Sequence, residues 1–421
     1  MRGRRILGAS PAPANLTYFG LGTGAFLALY LPQPILPLLD GAFGTPPPVT
    51  GLTMTAALLG FAAAGLLPEG EPSRTLRWAS WLIALASLVA ALSPVFASLL
   101  VARAAQGIGI GLLIAGGLAD IARRAPAGHA GRLTGAMIGG TAIGGLLSRL
   151  SGYSAFLIGW RGAFAVGGLV ALVLATLALK RLGLTSQASP RIAAGGPQES
   201  GSSAEAQPAP GPPPESSQAL AAHPNPRPAA RTPAVIVLAG LFILFVNIAV
   251  FDLLPYRLSG PPFHLPTYVA DLVYLAFVPA TGTAYVAGPA VDRFGPRVVA
   301  IVTCGLGVGC LLVGLLPSIV AAAVMAVGSI SGAVSLHICH SGVAAKHGRV
   351  AVGRYLTAYY VGGAASAPIA ASAYQAFGWP GAVAPLAAAW LVVAMLALRG
   401  DRRVWKAPSV AAAEVGERVG G

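Results

Sequence analysis

Twelve stretches of about 20 apolar residues, each long enough as a helix to span the ~30 Å hydrocarbon core of a bilayer, follow one another along this 421-residue sequence. The chain is 55% hydrophobic with a mean hydropathy of +0.73. One soluble core cannot bury that much apolar surface. We therefore predict an all-α integral membrane protein with transmembrane helices at about 16–39, 48–67, 78–97, 98–119, 133–153, 159–180, 233–255, 266–288, 298–316, 318–340, 353–376 and 378–399.

The positions of the basic residues predict the orientation. When successive helices alternate in direction, all but four of the 27 Lys and Arg fall on one side of the membrane, the exceptions being Arg103, Arg149, Arg161 and Arg257. Such an excess marks the cytoplasmic side, so both termini are predicted to be cytoplasmic in a cell (inner) membrane. Contact with the anionic inner leaflet then explains the net charge of +14, and membrane lipids, not nucleic acid, are the expected partners.

A polar segment divides the helices into six and six. Residues 181–232 are rich in Pro, Ser, Gly and Ala and contain too little apolar surface to offset the entropy of ordering, which predicts a disordered cytoplasmic linker. The predicted order is therefore a cytoplasmic tail, a six-helix bundle, the linker, a second six-helix bundle and a cytoplasmic tail, at 1–15, 16–180, 181–232, 233–399 and 400–421.

The two groups of six helices carry an internal repeat. Three motifs of the first group return in the second: GWRGAF at 159 as GWPGAV at 378, IGGTA at 138 as VGGAA at 361, and GLLPEGEPSR at 65 as GPAVDRFGPR at 288. Because six is an even number, both groups enter the membrane in the same sense. A parallel repeat of this kind is typical of secondary transporters with two bundles that rock against each other.

Two of these stretches carry a family resemblance. The residues of GPAVDRFGPR resemble the G-x-x-x-D-R-x-G-x-R signature between the second and third helices of a half in the major facilitator superfamily, and they are Gly288, Asp292, Arg293, Gly295 and Arg297. RAAQG resembles the fourth-helix signature R-x-x-Q-G, and its residues are Arg103, Gln106 and Gly107. The stretches YLPQPILPLL, GGTAIGGLLSR and YRLSGPPF are similar to the bacterial inner-membrane efflux branch, arabinose-efflux-like permeases of the drug:proton antiporter group.

The resemblance implies a twelve-helix transporter that exports a small molecule by alternating access, coupled to protons. It implies a monomer without a cofactor. The first half departs from the signature, since only Glu69 and Arg74 remain of the charged positions. The fifth helix also departs, since Gly139 and Gly140 stand where these antiporters usually have Gly-Pro. The small residues of that helix are expected to allow close helix packing, namely Gly139, Gly140, Gly144 and Gly145.

The charged loop at 288–297 has two interpretations. It is either a topological anchor or a latch, in which Asp292, Arg293 and Arg297 form contacts in one conformation that bias the balance between inward and outward opening. Asp120 and Arg124, one helical turn apart, are expected partners of the corresponding loop in the first half.

Arg103 is expected to face a cavity or a partner. A guanidinium inside an apolar helix costs at least about 2.5 kcal/mol on insertion scales. The alternative is that its side chain extends to the membrane–water interface on the outer side of the same bilayer. In the family, the matching Arg is implicated in proton coupling or substrate binding.

Polar and aromatic residues of the first and seventh helices are the candidates for lining the transport path, namely Tyr30, Gln33, Asn247 and Phe251. A largely apolar path suits a small amphipathic solute. Asp252 is the best candidate for carrying a proton and Asp271 the next, although both are expected to lie at the membrane interface. The resemblance also aligns His340 with a recurrent His of the family.

Other function classes are disfavoured. His337 and His340 share a helix face, but no third strong metal ligand is near them, so no metal site is predicted. H-E-x-x-H, G-x-S-x-G, paired carboxylates in mid-helix and the Walker motif do not occur in the sequence, which argues against a membrane-embedded enzyme and an ATP-driven pump. An importer or facilitator of a sugar or organic acid stays open as the alternative.

Overall fold

The structure is a computed structural model that describes residues 11–65, 67, 70–125, 130–182, 233–347, 349–400 and 402–405. Most of the predicted linker and tails, and Glu69, lie outside these residues. The described residues contain helices and no strands.

Eight α-helices form the first half: α1 (Pro11–Tyr30), α2 (Leu36–Phe43), α3 (Pro47–Thr50), α4 (Leu52–Ala64), α5 (Pro72–Leu92), α6 (Phe96–Arg124), α7 (Ala130–Leu147) and α8 (Ser151–Arg181). Eight more form the second half: α9 (Ala234–Ser259), α10 (Thr267–Ala270), α11 (Phe277–Phe294), α12 (Pro296–Val313), α13 (Ile319–Lys346), α14 (Arg349–Ser366), α15 (Ser372–Arg399) and α16 (Arg402–Trp405). Short 3-10 or π turns join several of them.

Among the described residues, nine helical segments are long and apolar enough to cross a membrane. Two of them, Arg132–Arg181 and Val350–Arg399, contain 50 residues each. A straight helix of that length would measure about 75 Å, more than twice the bilayer core, so each makes two crossings. Helix α11 is the remaining crossing, and the fold therefore has the predicted two halves of six.

A glycine breaks each of the two long segments. Gly159 has φ 75° and ψ 164°, and Gly378 has φ 66° and ψ −159°. Only glycine adopts this region without strain. These are the first residues of the repeated GWRGAF and GWPGAV motifs, so the sequence repeat reflects one backbone conformation that both halves need where the chain turns back.

The first crossing is broken near its centre. Helix α1 ends at Tyr30, and a 3-10 turn at Gln33–Ile35 leads into α2. Pro32 and Pro34 cause the break because they lack the N–H groups that would continue the helix. Gln33 therefore lies in the turn rather than in the continuous helix that the sequence predicted.

The third crossing begins at Pro72 instead of 78. Glu71 caps it, since its carboxylate accepts hydrogen bonds from the backbone N–H groups of Ser73 and Arg74, an N-terminal capping arrangement. Hydrogen bonds from the Ser73 hydroxyl and the Arg74 N–H hold the pKa of Glu71 below its usual range. Arg74, which was predicted to lie in a loop, is thus in the first turn of α5.

Each half has an apolar core, and that of the first half extends to Leu244 and Ile248 of α9. Other large apolar side chains point outward. Trp390 is fully buried in the second half and fills the space over Gly307 and Gly332. Trp78 and Trp81 on α5 are 65% and 63% exposed, as expected for a helix face that contacts lipid. We call the membrane face at which α1 begins and α15 ends the terminal face, and the opposite face, at which α2 and α9 end, the distal face.

Candidate functional site

Arg149 lies between the two halves and is only 6% exposed. Its guanidinium carbon is 5.1 Å from the ring centroid of Tyr30 in the first half. It is 4.7 Å from that of Tyr274 and 4.6 Å from that of Phe277 in the second. Aromatic faces attract a cation, so rings of both halves surround this charge. The sequence marked Arg149 only as one of the four basic residues off the cytoplasmic side and did not predict this position between the halves.

Gln33 connects Arg149 to Asp252 across the two halves. The Nη1 atom of Arg149 donates a hydrogen bond to Oε1 of Gln33. The Nε2 atom of Gln33 donates to Oδ1 of Asp252 at 2.6 Å. Both acceptor and donor side chains are buried, with Gln33 0% and Asp252 3% exposed. Separation of the halves at this level would break the connection.

Two buried carboxylates lie in the surroundings of Arg149. Asp252 is linked to its guanidinium through Gln33. Asp271 is 8% exposed and packs against Gly152, three residues after Arg149. Among the described residues, Oδ2 of Asp252 and both carboxylate oxygens of Asp271 have no hydrogen-bond partner. Both acids are therefore buried where the halves meet, contrary to the expectation that they lie at the membrane interface.

Further polar contacts join the two halves. The Tyr256 hydroxyl of α9 donates to Oδ1 of Asp40 in α2 at 3.0 Å. The Thr55 hydroxyl of α4 donates to the carbonyl oxygen of Ala364 in α14 at 2.6 Å. Together with the cluster around Arg149, these contacts hold the two halves together on the distal side.

Phe251 belongs to the surroundings of Arg149. Its ring centroid is 5.6 Å from that of Tyr274 and 4.7 Å from that of Phe277, and the Tyr274 hydroxyl donates to the Phe251 carbonyl oxygen at 2.9 Å. Asn247, about one turn away on α9, is 9% exposed. Its Oδ1 has no partner among the described side and main chains.

A row of aromatic rings continues from Tyr30 through the contact between the halves. We call Tyr30, Phe26, Phe61, Tyr360 and Tyr359 the aromatic row. Successive ring centroids are 5.8, 6.4, 3.9 and 5.5 Å apart. Three rings come from the first half and two from the second, so the row spans the plane on which the halves meet.

The two histidines of α13 have different surroundings. The His337 ring lies 4.7 Å from the Tyr359 ring, and its Nδ1 is 2.9 Å from the Tyr355 hydroxyl. His340 is fully buried, with Nδ1 2.8 Å from the Leu336 carbonyl oxygen and its ring 5.4 Å from Trp405. The structure thus brings His337, and not the sequence candidate His340, to the aromatic row.

Arg103 is fully buried within the first half and does not extend to the interface. Its guanidinium donates to the carbonyl oxygens of Ala28 at 3.1 Å and Leu29 at 2.6 Å, and also to Oε1 of Gln106. The last carbonyls of a helix have no intrahelical partner. Arg103 satisfies two of these at the broken end of α1.

Gly107 and two glycines of α7 lie where helices pack closely. A Cβ at Gly107 would lie 2.0 Å from the Ala57 carbonyl oxygen of α4. At Gly140 and Gly144 it would lie 2.1 and 2.2 Å from carbonyl oxygens of α1. Gly145 has only an ordinary contact with Tyr30 at 3.9 Å, and at Gly139 no described atom would come within 4 Å.

The residues of GPAVDRFGPR lie at the end of α11 and the start of α12. Asp292 and Arg293 are exposed, and Asp292 has no ion-pair partner among the described residues. Gly295 has φ 84° at the turn between the helices. Arg297 donates from Nε to the Ala397 carbonyl oxygen at 2.8 Å and from Nη2 to that of Leu398, at the end of α15. At Gly288 a Cβ would meet no described atom within 4 Å.

Asp120 and Arg124 pair with each other in the first half. Asp120 is 1% exposed, accepts a hydrogen bond from the Tyr18 hydroxyl at 2.8 Å and forms a 2.8 Å salt bridge with Arg124. Arg124 also donates to the Leu182 carbonyl oxygen at 3.3 Å. Contact with the loop that contains Glu69 stays a prediction because Glu69 is outside the described residues.

The structure brings the sequence candidates Tyr30, Gln33, Phe251, Asp252 and Asp271 together around Arg149, whereas Arg149 and His337 were not among the binding candidates. Their role as a transport site stays a prediction. The only signal for Arg149 was a charge within the apolar stretch GGLLSRL. Within the part of the chain that the structure describes, no group of three or more His, Cys, Asp or Glu is placed to hold a metal ion.

Comparison with known proteins identifies the relatives of this chain. The model of the Major Facilitator Superfamily matches residues 18–350. The inner membrane transport protein YnfM of Escherichia coli (strain K12) is 26% identical over 401 residues, which cover 93% of this chain and 91% of that protein. The uncharacterized MFS-type transporter YybF of Bacillus subtilis (strain 168) is 24% identical over 294 residues, 68% of this chain and 67% of that protein.

Solved structures share the fold at low sequence identity. A bacterial homolog of the human lysosomal transporter Spinster, in an inward-facing and unoccupied conformation, has a TM-score of 0.70 and 15% identity, with 96% of this chain and 100% of that chain covered. A D-xylose-proton symporter has a TM-score of 0.68 and 18% identity, covering 94% and 97%.

Proposed function

This chain is a membrane transporter of the major facilitator superfamily, and we propose that it exports a small amphipathic molecule across a cell inner membrane in exchange for protons. The observation that carries the proposal is the buried connection from Arg149 through Gln33 to Asp252. It joins the two halves where the buried charges meet the aromatic row at Tyr30.

The conformation corresponds to a transporter closed on the outside. Basic residues occupy the helix ends at the terminal face, such as Arg123 in α6, Lys346 in α13 and Arg399 in α15, which favours a cytoplasmic terminal face. The polar contacts of Arg149 and Tyr256 then close the periplasmic side. The likeness to a Spinster homolog in an inward-facing conformation supports the same interpretation.

The charge balance of the cluster suggests how a proton is coupled. One guanidinium, Arg149, and two carboxylates, Asp252 and Asp271, are buried in this region, so the fully ionised cluster has one uncompensated negative charge. Burying such a charge is costly. Addition of one proton makes the cluster neutral and favours the conformation in which the halves meet at the distal face, which we call the distal-closed state. Loss of that proton to the cytoplasm favours opening at the distal face. One proton per transport cycle follows from this balance.

The aromatic row suits the proposed cargo. Its rings offer apolar faces for a ring-containing solute, and the hydroxyls of Tyr30 and Tyr359 offer a few polar contacts, the usual composition of a small-molecule site. Tyr30 also contacts Arg149. A solute on the row would therefore lie next to the groups that carry the proton, which allows each to affect the binding of the other.

Transport in proteoliposomes with an imposed pH gradient tests this proposal. A panel of amphipathic compounds, sugars and organic acids is screened with the wild-type protein, and a pH-sensitive dye reports proton movement. We expect an amphipathic substrate to move against the proton flux. In Asp252→Asn, substrate exchange without a gradient should persist while proton-driven transport is lost. Glu71→Gln, which removes an exposed capping carboxylate, should keep both.

An importer or facilitator of a sugar or organic acid is the alternative, and the likeness to a D-xylose-proton symporter favours including it. In that case the solute would move with the protons or without them. Proton-driven accumulation that survives in Asp252→Asn would contradict the assignment of the proton to this cluster.

A further inference from the structure

A groove of about 340 Å³ runs along the surface of the first half at the terminal face. Its walls come from α1 and α8, and they include Leu16, Phe19, Gly20, Leu177 and Arg181. This volume falls within the range of roughly 300–1,000 Å³ that small-molecule sites occupy. The groove is separate from the aromatic row and from the cluster around Arg149.

The groove exists because α1 and α8 diverge toward the terminal face. A Cβ at Gly24 would lie 3.2 Å from the Ala171 Cα atom, so the helices are in close contact there. One turn nearer the terminal face, a Cβ at Gly20 would find its nearest atom, Cδ2 of Leu174, at 4.0 Å. The missing side chain of Gly20 leaves the floor of the groove open.

The surroundings of the groove combine lipid exposure with a positive charge. Leu16 is 61% exposed and Leu177 is 49% exposed, so its mouth opens where the bilayer meets the protein. Arg181 lines the end of the groove, in the last turn of α8 beside Lys180. Within the described residues the guanidinium of Arg181 has no hydrogen-bond partner, so it is free to bind an anion.

We propose that this groove binds an anionic phospholipid of the cytoplasmic leaflet, with an acyl chain along α1 and α8 and the phosphate on Arg181. Guanidinium groups bind phosphate through paired hydrogen bonds, and basic pockets between transmembrane helices on the cytoplasmic side bind anionic head groups. The choice of leaflet rests on the proposed cytoplasmic terminal face.

In the second half a phenylalanine follows a close helix contact. At Gly362 a Cβ would lie 1.7 Å from the Leu241 carbonyl oxygen, so α14 and α9 pack in close contact. Phe242, the next residue of α9, is partly buried against the core of the second half. In the first half Gly20 lines the groove with no atom closer than 4.0 Å to a Cβ, so a phenylalanine at position 20 has room to fill the open floor.

Native mass spectrometry of the full-length protein in detergent tests the proposal, with phosphatidylglycerol and phosphatidylcholine of the same acyl chains as probes. We expect wild type to retain one phosphatidylglycerol in preference to phosphatidylcholine. Arg181→Gln should weaken phosphatidylglycerol binding about fivefold, the effect of one basic residue near an anionic head group. Lys180→Gln removes the same charge one residue away from the groove and should leave the binding unchanged.

Gly20→Phe should abolish retention of both lipids without changing the melting temperature in detergent. Gly305→Phe on α12, where a Cβ would meet no described atom within 4 Å, is its control and should retain them.

Equal binding of the two lipids by wild type, or equal losses in Arg181→Gln and Lys180→Gln, would overturn the proposal. Lipid binding that appears only after deletion of 190–225 would assign the groove to the chain's own segment instead. None of these measurements depends on transport, so their failure is distinguishable from failure of the proposed function.

Discussion

The two halves share one fold but contribute opposite charges to their contact. The first half provides the buried guanidinium of Arg149, and the second half provides the buried carboxylates of Asp252 and Asp271. The contact between the halves therefore buries charges of opposite sign together, and a buried charge without its counterpart would be costly. The difference shows that the repeat provides the scaffold, whereas the residues in which the copies differ provide the coupling between them.

A second pair of sites shows the same structural role fulfilled by different chemistry. In the first half Arg161, just after the turn at Gly159, donates to the carbonyl oxygens of Ala91 and Ser93 at 2.9 and 3.0 Å. In the second half the indole N–H of Trp379, just after Gly378, donates to the Gly314 carbonyl oxygen at 2.8 Å. Both secure the distal end of a neighbouring helix.

Arg149→Gln should have the largest effect. It leaves the two buried carboxylates Asp252 and Asp271 without a nearby cation, and an uncompensated buried charge is costly. We expect transport in proteoliposomes to be lost and the distal-closed state to become a minor population. Labelling of a cysteine at Ser151, which is buried near Arg149, should become faster.

Arg257→Gln is the matched control because it removes a half-buried guanidinium of the distal side whose aromatic contacts, Phe263 and Trp379, lie within the second half. Its transport and labelling should match those of wild type. If Arg149→Gln also behaves like wild type, the opposite charges of the two halves are not what couples them.

Gly159→Ala and Gly378→Ala should have the next largest effects, and these should be equal. Both glycines have positive φ with extended ψ, where another residue costs about 1–3 kcal/mol. Thermal unfolding in detergent measures the loss of stability for each variant. Gly139→Ala, in a helix with no described atom within 4 Å of the new Cβ, should be neutral. A large effect at only one of the two turns would contradict their structural equivalence.

Asp292→Asn should slow transport without lowering abundance if the charged loop of the second half is a latch. Asp292 is exposed in the distal-closed state, so its partner contacts would form only when the terminal face closes. A change of ~1.4 kcal/mol in this balance shifts the populations tenfold. Solute flux and the accessibility of cysteines at the terminal face measure the effect.

Glu69→Gln tests the same position in the first half, where the signature has lost its Gly and first Arg. We expect a smaller effect than for Asp292→Asn. If solute flux and cysteine accessibility of Asp292→Asn match those of wild type, or if Glu69→Gln lowers the flux more than Asp292→Asn does, the loop is a topological anchor and not a latch.

Deletion of 190–225 should have the smallest effect. A polar tether of this composition only has to connect the halves, so insertion and transport should be retained. Reporter enzymes inserted near Ser202 or fused after Gly421 should both give a cytoplasmic signal. Loss of transport with normal insertion would show that the segment acts on the coupling between the halves.

Sequence patterns predicted the helical fold because each apolar stretch and each turn glycine is a local feature. The repeated GWRGAF and GWPGAV motifs coincide with the two turns at Gly159 and Gly378. The start of α5 at Pro72 was missed because Arg74 and Arg77 lie inside the helix, where charge was taken to indicate a loop.

The polar cluster was only partly predictable. Gln33 and Asp252 stood out as polar residues in apolar stretches, but their direct contact joins positions 219 residues apart. Nothing in the spacing of one half indicates which residue of the other half it meets. The contact of Arg149 with the second half was missed for that reason, since a basic residue near a helix end has the same sequence signature whether it meets water or the opposite half.

Distances between spin labels on both faces test the central claim most directly. The background variant has Ala in place of Cys304, Cys310 and Cys339. One pair of spin labels, at Gly41 and Pro266, reports on the distal face. A second pair, at Arg123 and Lys346, reports on the terminal face, and all four sites are exposed. Pulsed electron paramagnetic resonance spectroscopy then gives the distance distribution of each pair of labels in lipid nanodiscs between pH 5 and 8.

Acidification should shorten the distance between the two labels at the distal face and, at the same time, lengthen the distance between the two labels at the terminal face. Asp252→Asn should mimic acid at every pH because it removes the uncompensated charge, whereas Arg149→Gln should do the opposite. Distances on the two faces that stay constant, or that change in the same direction in both variants, would contradict alternating access controlled by the charges that the two halves share.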